Sequence, residues 1–298
     1  MTTADPPDAA FTGTFPPLVD AAWLAAHASD PLVRVVDVRW YLGAKKGVEE
    51  HAKDHIPGAV FLDLDRDLCA EIAAGPGRHP IPHAEKLTAT MQRAGVSRRT
   101  HVVAYDDAAG AIASRVWWLL HHFGHARVSV LDGGIGAWTA AGHELEHQAP
   151  SFAPGDFVAK APSAEAVRAR VADKQHVREC VGQPGVLVLD ARDRDRYRGE
   201  REPVDARPGH VPGAKSAPWV ENTRDGHLLP RTELRALYEA LGAATADEII
   251  VYCGSGVTAC HDVLALELAG IGKAKIYEGS WSDWARDPTL PAMKGEAP

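Results

Sequence analysis

One passage of this chain occurs twice, in the same order, and that repetition limits its fold more than any other feature. Val33-Arg34-Val35-Val36-Asp37-Val38-Arg39 returns as Val186-Leu187-Val188-Leu189-Asp190-Ala191-Arg192, two strand-like runs that both end in Asp-x-Arg. His55-Ile56-Pro57-Gly58-Ala59 then matches His210-Val211-Pro212-Gly213-Ala214, where Pro-Gly marks a turn feeding the next strand. His101 to Tyr105 matches Glu248 to Tyr252, each run followed by a loop of small residues and a helical pattern. Val128 to Gly134 with Trp138 matches Ala274 to Ser280 with Trp284.

Strands alternating with helices require crossover connections, so each copy should form a mainly parallel sheet with helices on both faces, an α/β fold made twice in tandem. The expected division is residues 1–147 for the first unit, 148–162 for a Pro- and Ala-rich linker, and 163–298 for the second. The ends, Met1 to Pro17 and Ala292 to Pro298, read as loose.

A length of 298 residues and a hydrophobic fraction of 45% suffice for two ordinary cores. A formal net charge of -8 without a Lys/Arg block argues against a nucleic-acid surface, which needs clustered positive charge. No apolar run approaches the roughly 18 to 20 residues of a bilayer span. The first residues lack the layout of a signal peptide, so the expected location is cytoplasmic. Cys69, Cys180, Cys253 and Cys260 show no CxxC pair and no framework spacing, and His121, His122 and His125 lack converging partners. Neither a metal nor any other cofactor is expected.

In open parallel sheets, sites form beyond the carboxyl ends of strands, and Cys253 follows such a strand directly. In Cys253-Gly254-Ser255-Gly256-Val257-Thr258 the small residues let backbone N–H groups turn inward around an anion. The helix beginning near Thr258 adds the positive end of its dipole, which favours a thiolate or persulfide at Cys253. A phosphatase of the Cys-x5-Arg type is disfavoured, because the sixth residue after Cys253 is Ala259 rather than an arginine.

Cys253 to Cys260, Arg196-Tyr197-Arg198-Gly199, the Gly209 to Ala214 segment and Glu278 to Trp284 together resemble the rhodanese and mercaptopyruvate sulfurtransferase family over essentially the whole chain. The resemblance implies a sulfurtransferase that moves sulfane sulfur from 3-mercaptopyruvate or thiosulfate, through a Cys253 persulfide, to a thiophilic acceptor. The acceptor is cyanide or a thiol, with thioredoxin a candidate partner. Arg196 is the implied donor-binding residue, with Gly254, Ser255, Gly256, Val257 and Thr258 around the donor. His55 is the family's first-domain histidine candidate, Arg201 a candidate second arginine, and Trp281 a candidate pocket wall. Asp106 stands at the cysteine position of the first unit, which should therefore be inactive. The competing reading is a non-catalytic module that senses redox state through Cys253, with Cys260 as a resolving thiol, or only binds.

Overall fold

The computed structural model describes residues 15–72, 76–272 and 274–298. The first sheet holds β1 (Leu18–Val19), β2 (Val33–Asp37), β3 (Val60–Phe61), β4 (His101–Tyr105) and β5 (Val128–Leu131) in the order β1-β5-β4-β2-β3. The second holds β6 (Val171–Ala172), β7 (Val186–Asp190), β8 (Lys215–Ser216), β11 (Glu248–Tyr252) and β12 (Ala274–Tyr277) in the order β6-β12-β11-β7-β8. A separate hairpin joins β9 (Thr223–Arg224) and β10 (His227–Leu228). All pairings in the two large sheets are parallel, and the repeat is kept in register: Asp37 lies beside Tyr105 as Asp190 lies beside Tyr252. The tandem parallel α/β architecture expected from the repeat is the one observed.

Every residue of β2, β4 and β5 is buried, which is why these strands are continuous rather than alternating apolar runs. The repeated Asp-x-Arg is a structural clasp. Arg39 Nη2 donates to Asp37 at 2.7 Å and to the Asp54 carbonyl at 2.5 Å. Arg192 repeats this with Asp190 and the Gly209 carbonyl, both at 2.6 Å. Each clasp fixes the turn that carries the Pro-Gly segment.

The two units share a core. The helix Ala113–His122 of the first packs against Ala259–Leu268 of the second, and one continuous apolar cluster contains residues of both sheets, among them Val102, Trp118, Leu264 and Ile276. Ala259–Leu268 has no polar stripe because its own sheet covers one side and the first unit the other. The hairpin adds a further tie, with His227 and the Leu228 N–H on Asp132 at 3.0 and 2.9 Å.

Residues 148–162 form no helix or strand and run along the first unit, where the Phe157 N–H donates to Val96 and Lys160 N–H to Phe123. The carboxyl end is held, contrary to expectation. Met293 pairs with His210 through two backbone hydrogen bonds, and the Ala297 carbonyl lies 3.0 Å from His210 Nε2. Residues 1–14 lie outside the described residues. Among the described residues, no helix is long and apolar enough to cross a membrane.

Candidate active site between the two units

Cys253 directly follows β11 at the carboxyl edge of the second sheet and is 1% exposed. Its N–H donates to Ser280 Oγ at 3.1 Å, and its carbonyl accepts from the Trp281 N–H at 2.9 Å, so the segment after β12 braces the loop. Gly256 N–H donates to Cys253 Sγ at 3.1 Å. Gly256 has φ +80°, and a Cβ there would lie 2.7 Å from the Glu278 carbonyl oxygen, so only glycine fits.

The first unit shows the same loop filled by a carboxyl group. Asp106 is fully buried, and its two oxygens accept from the N–H groups of Ala108, Gly110, Ile112 and Ala113 at 2.8 to 2.9 Å. The carboxylate occupies the whole cradle, whereas Cys253 Sγ is shorter and takes the single N–H of Gly256 among the described contacts.

A cavity of about 310 Å³ opens over Cys253 between the units. Gly254, Ser255, Val257, Thr258 and Arg196 line it from the second unit, and Trp40, Asp65, Arg78 and His79 from the first. Ser255 Oγ lies 2.7 Å from His79 Nδ1, and His79 Nε2 lies 2.8 Å from Asp65 Oδ1. A carboxylate only accepts, so Nε2 carries the proton and Nδ1 accepts from the Ser255 hydroxyl. The hydrogen bond from His79 holds the Asp65 carboxyl below the usual carboxylate range against its partial burial, helped by Trp40 Nε1 at 2.8 Å. The result is a hydroxyl, an imidazole and a carboxylate in series beside a thiol.

Arg196 faces the cavity with Nη2 2.7 Å from Glu202 Oε1 and 3.1 Å from Asp205 Oδ2. Three sequence candidates stand elsewhere. His55 is 0% exposed, and its Nδ1 donates to the His51 carbonyl at 2.7 Å, so it caps a helix of the first unit. Arg201 is 52% exposed and pairs with Asp195 and Asp193 on the outer surface. Trp281 is wholly buried behind the loop, its Nε1 donating to the Arg207 carbonyl at 3.0 Å. Asp65, Arg78 and His79 escaped the sequence reading because they lie in no repeated motif; the Gly-Arg-His-Pro run ahead of the helix Ala84–Arg93 was the only local signal.

Cys260 is fully buried, and its thiol donates to the Gly256 carbonyl at 3.4 Å. Burial pushes this thiol up to about 12 in spite of the nearby Arg115 guanidinium, so it stays protonated at neutral pH. The four cysteines are free thiols. Among the described residues, His176, Cys180 and Glu248 come within metal-ligating reach of one another, at the end of β11 remote from Cys253. Lys275 Nζ, 2.5 Å from Glu248 Oε1, already neutralises that carboxylate.

Comparison with known proteins agrees with this geometry. A Pseudomonas aeruginosa protein provisionally named 3-mercaptopyruvate sulfurtransferase is 43% identical, covering 94% of this chain and 98% of that protein. A Mycobacterium tuberculosis protein provisionally named thiosulfate sulfurtransferase is 40% identical over 94% of this chain and 98% of its own length. A crystal structure of a 3-mercaptopyruvate sulfotransferase from Escherichia coli superposes with a TM-score of 0.77 at 34% identity, covering 91% of this chain and all of that one. The rhodanese-like domain model matches twice, at residues 20–141, which hold β2 to β5 of the first sheet, and 168–287, which hold all of the second, and the chain therefore belongs to the rhodanese-like family as a tandem member.

Proposed function

We propose that this sulfurtransferase draws its sulfur from 3-mercaptopyruvate in preference to thiosulfate, through a persulfide on Cys253. The observation that carries the preference is the Ser255-His79-Asp65 relay opening on the cavity over Cys253. In mercaptopyruvate the sulfur bears a proton and the leaving group is a carbon that must gain one. Thiosulfate needs no proton moved, because sulfite departs as a stable anion.

In the proposed cycle the Cys253 thiolate attacks the donor sulfur. An S–S bond forms as the C–S bond breaks, and the electron pair of the broken bond passes into the enolate of pyruvate. Ser255, with His79 behind it, takes the proton from the donor thiol and returns it to the enolate carbon; Asp65 stabilises the imidazolium in between. The donor carboxylate lies on Arg196, whose planar fork suits it. The outer persulfide sulfur extends into the loop that Asp106 fills in the first unit, so Gly254, Gly256, Val257 and Thr258 shape its surroundings. Cyanide or a thiol such as that of thioredoxin then attacks this outer sulfur, the S–S bond breaks, and the Cys253 thiolate is restored. A thiol acceptor must be reduced, which favours a cytoplasmic setting. Asp106 carries no sulfur chemistry, and the first unit contributes Asp65 and His79 instead of a second cysteine.

The test is sulfur transfer from each donor by wild type, Cys253→Ser and Ser255→Ala, with mass spectrometry for one added sulfur. Cys253→Ser should abolish both reactions. Ser255→Ala should slow mercaptopyruvate turnover by about 10²-fold or more while leaving thiosulfate turnover within a few-fold. Equal losses with the two donors would overturn the preference.

A further inference from the structure

The ladder of the second sheet stops one residue short of the thiol. β11 pairs with β7 as far as Tyr252 and with β12 as far as Val251, and the N–H of buried Cys253 donates to the Ser280 hydroxyl at 3.1 Å instead of to a strand. That hydroxyl has one proton, which goes to the Tyr277 carbonyl at 2.9 Å, so Ser280 Oγ presents a lone pair to Cys253. The next residue completes the hold, because the Trp281 N–H donates to the Cys253 carbonyl at 2.9 Å. The two peptide planes that flank the Cys253 Cα are thus both fixed from the segment after β12. With them is fixed the direction in which Sγ leaves the backbone.

Ser280 is wholly buried and stands at φ +53°, in the left-handed region that disfavours any residue with a Cβ. The repeat shows what this backbone otherwise takes. Gly134 occupies the matching position of the first unit at φ +55°, and the Ile135 N–H donates to the Asp106 carbonyl at 3.0 Å as Trp281 does to Cys253. A Cβ on Gly134 would lie 2.1 Å from the Asp106 carbonyl oxygen, so the copy without the thiol has no room for a side chain there. The copy with the thiol makes that room and fills it with a hydroxyl, against the preference of its own backbone. Strain of this kind persists where surrounding contacts impose it, and the contact it secures here is on Cys253.

We infer that Ser280 is a positioning residue for the sulfur-carrying thiol: its hydroxyl holds the Cys253 peptide so that Sγ faces the Gly256 N–H throughout the cycle. The inference rests on Cys253 as the sulfur carrier and adds a residue outside the cavity lining, which acts only through Cys253. Without the hydroxyl the Cys253 N–H is buried with no acceptor, and the peptide can turn to find another. Sγ then swings off the loop N–H, and neither the attack on the donor nor the release to the acceptor starts from the aligned sulfur. Because both donors use the same thiol, the effect does not discriminate between them.

Ser280→Gly and Ser280→Ala both remove the hydroxyl, but the first relieves the left-handed strain and the second keeps it. Positioning and mere support of the fold therefore predict different orders. Urea midpoints should rank the glycine variant above the alanine variant. The kcat values with 3-mercaptopyruvate and with thiosulfate should nevertheless fall alike in both variants, by about tenfold, with KM within about threefold of wild type. The rate at which the protein gains one sulfur, read by mass spectrometry after rapid quenching, should fall in step. A glycine variant with wild-type kcat and loading rate would mean that Ser280 only supports the fold, and it decides the matter by itself if the alanine variant does not fold. If Cys253→Ser still gains the sulfur, the carrier assignment fails and the inference with it, an outcome read on a different variant.

Discussion

His79 has two ring nitrogens, and the site uses both: one receives the Ser255 hydroxyl from 176 residues away in the chain, the other is fixed by Asp65. The pH behaviour follows from the direction of the Asp65 shift. Its folded carboxyl titrates below its unfolded value, so the stabilisation that it provides is present above an unfolded pKa of about 3.9 and is lost only as pH falls through the lower folded value. Asp65→Asn should therefore have a lower Tm than wild type across neutral and mildly acid pH, with the gap closing below about pH 4. A gap that closed near neutrality would show that another group carries the effect. Ser255 stood beside Cys253 in the sequence and was legible; His79 and Asp65 were not, because nothing local marks a contact made across two units. The repeated histidine misled for a physical reason. His55 and His210 do the same work, each donating Nδ1 to a preceding carbonyl at 2.7 and 2.8 Å, and a residue used alike in the copy with Cys253 and the copy with Asp106 at that position reports on fold rather than chemistry.

At the scale of elements, the loop from Cys253 to Thr258 was legible because its glycines have no other explanation. Gly256 combines a left-handed backbone with a carbonyl 2.7 Å from where a Cβ would sit, and its N–H is the one on Cys253 Sγ. Gly256→Ala should cost about 1 to 2 kcal/mol from the backbone conformation alone, before any clash, and should depress kcat with both donors. Urea denaturation and steady-state rates check the two effects; an alanine variant with wild-type stability and turnover would contradict the assignment of this glycine. The parallel sheets were legible in the same way, since continuous apolar runs of four or five residues separated by helical patterns leave a parallel sheet as the remaining solution; their strand order was not. The carboxyl end was misread as loose because its anchors are backbone groups of Met293 and Ala297, whose pairing composition does not reveal.

At the scale of the whole molecule, Arg115 joins what the repeat divides. It is fully buried in the first unit's helix Ala113–His122, with Nη1 3.1 Å from the Gly256 carbonyl and Nη2 3.0 Å from the His79 carbonyl. One side chain thus sets the distance between the thiol loop and the relay. Arg115→Met takes the guanidinium from both carbonyls, leaving Gly256 with only the weak Cys260 thiol donor, and should lower stability by about 2 to 4 kcal/mol. Because the apolar cluster spans both sheets, wild type should unfold in one transition, seen identically by fluorescence and circular dichroism. Two separated transitions would contradict the shared core. None of this was visible from the repeat, which describes the likeness of the units and is silent on how they meet.

The small cavity over a nearly inaccessible sulfur also dictates traffic. The relay and the loop wall a cavity of about 310 Å³ over Cys253, and the sulfur passes through that one place in both halves of the proposed cycle. Because the proposed cycle parks the sulfur on Cys253 between donor and acceptor, the enzyme should alternate between a thiolate and a persulfide form, with parallel double-reciprocal lines in a ping-pong order. The sulfur spends the interval shielded from bulk thiols by the same walls that guided it in.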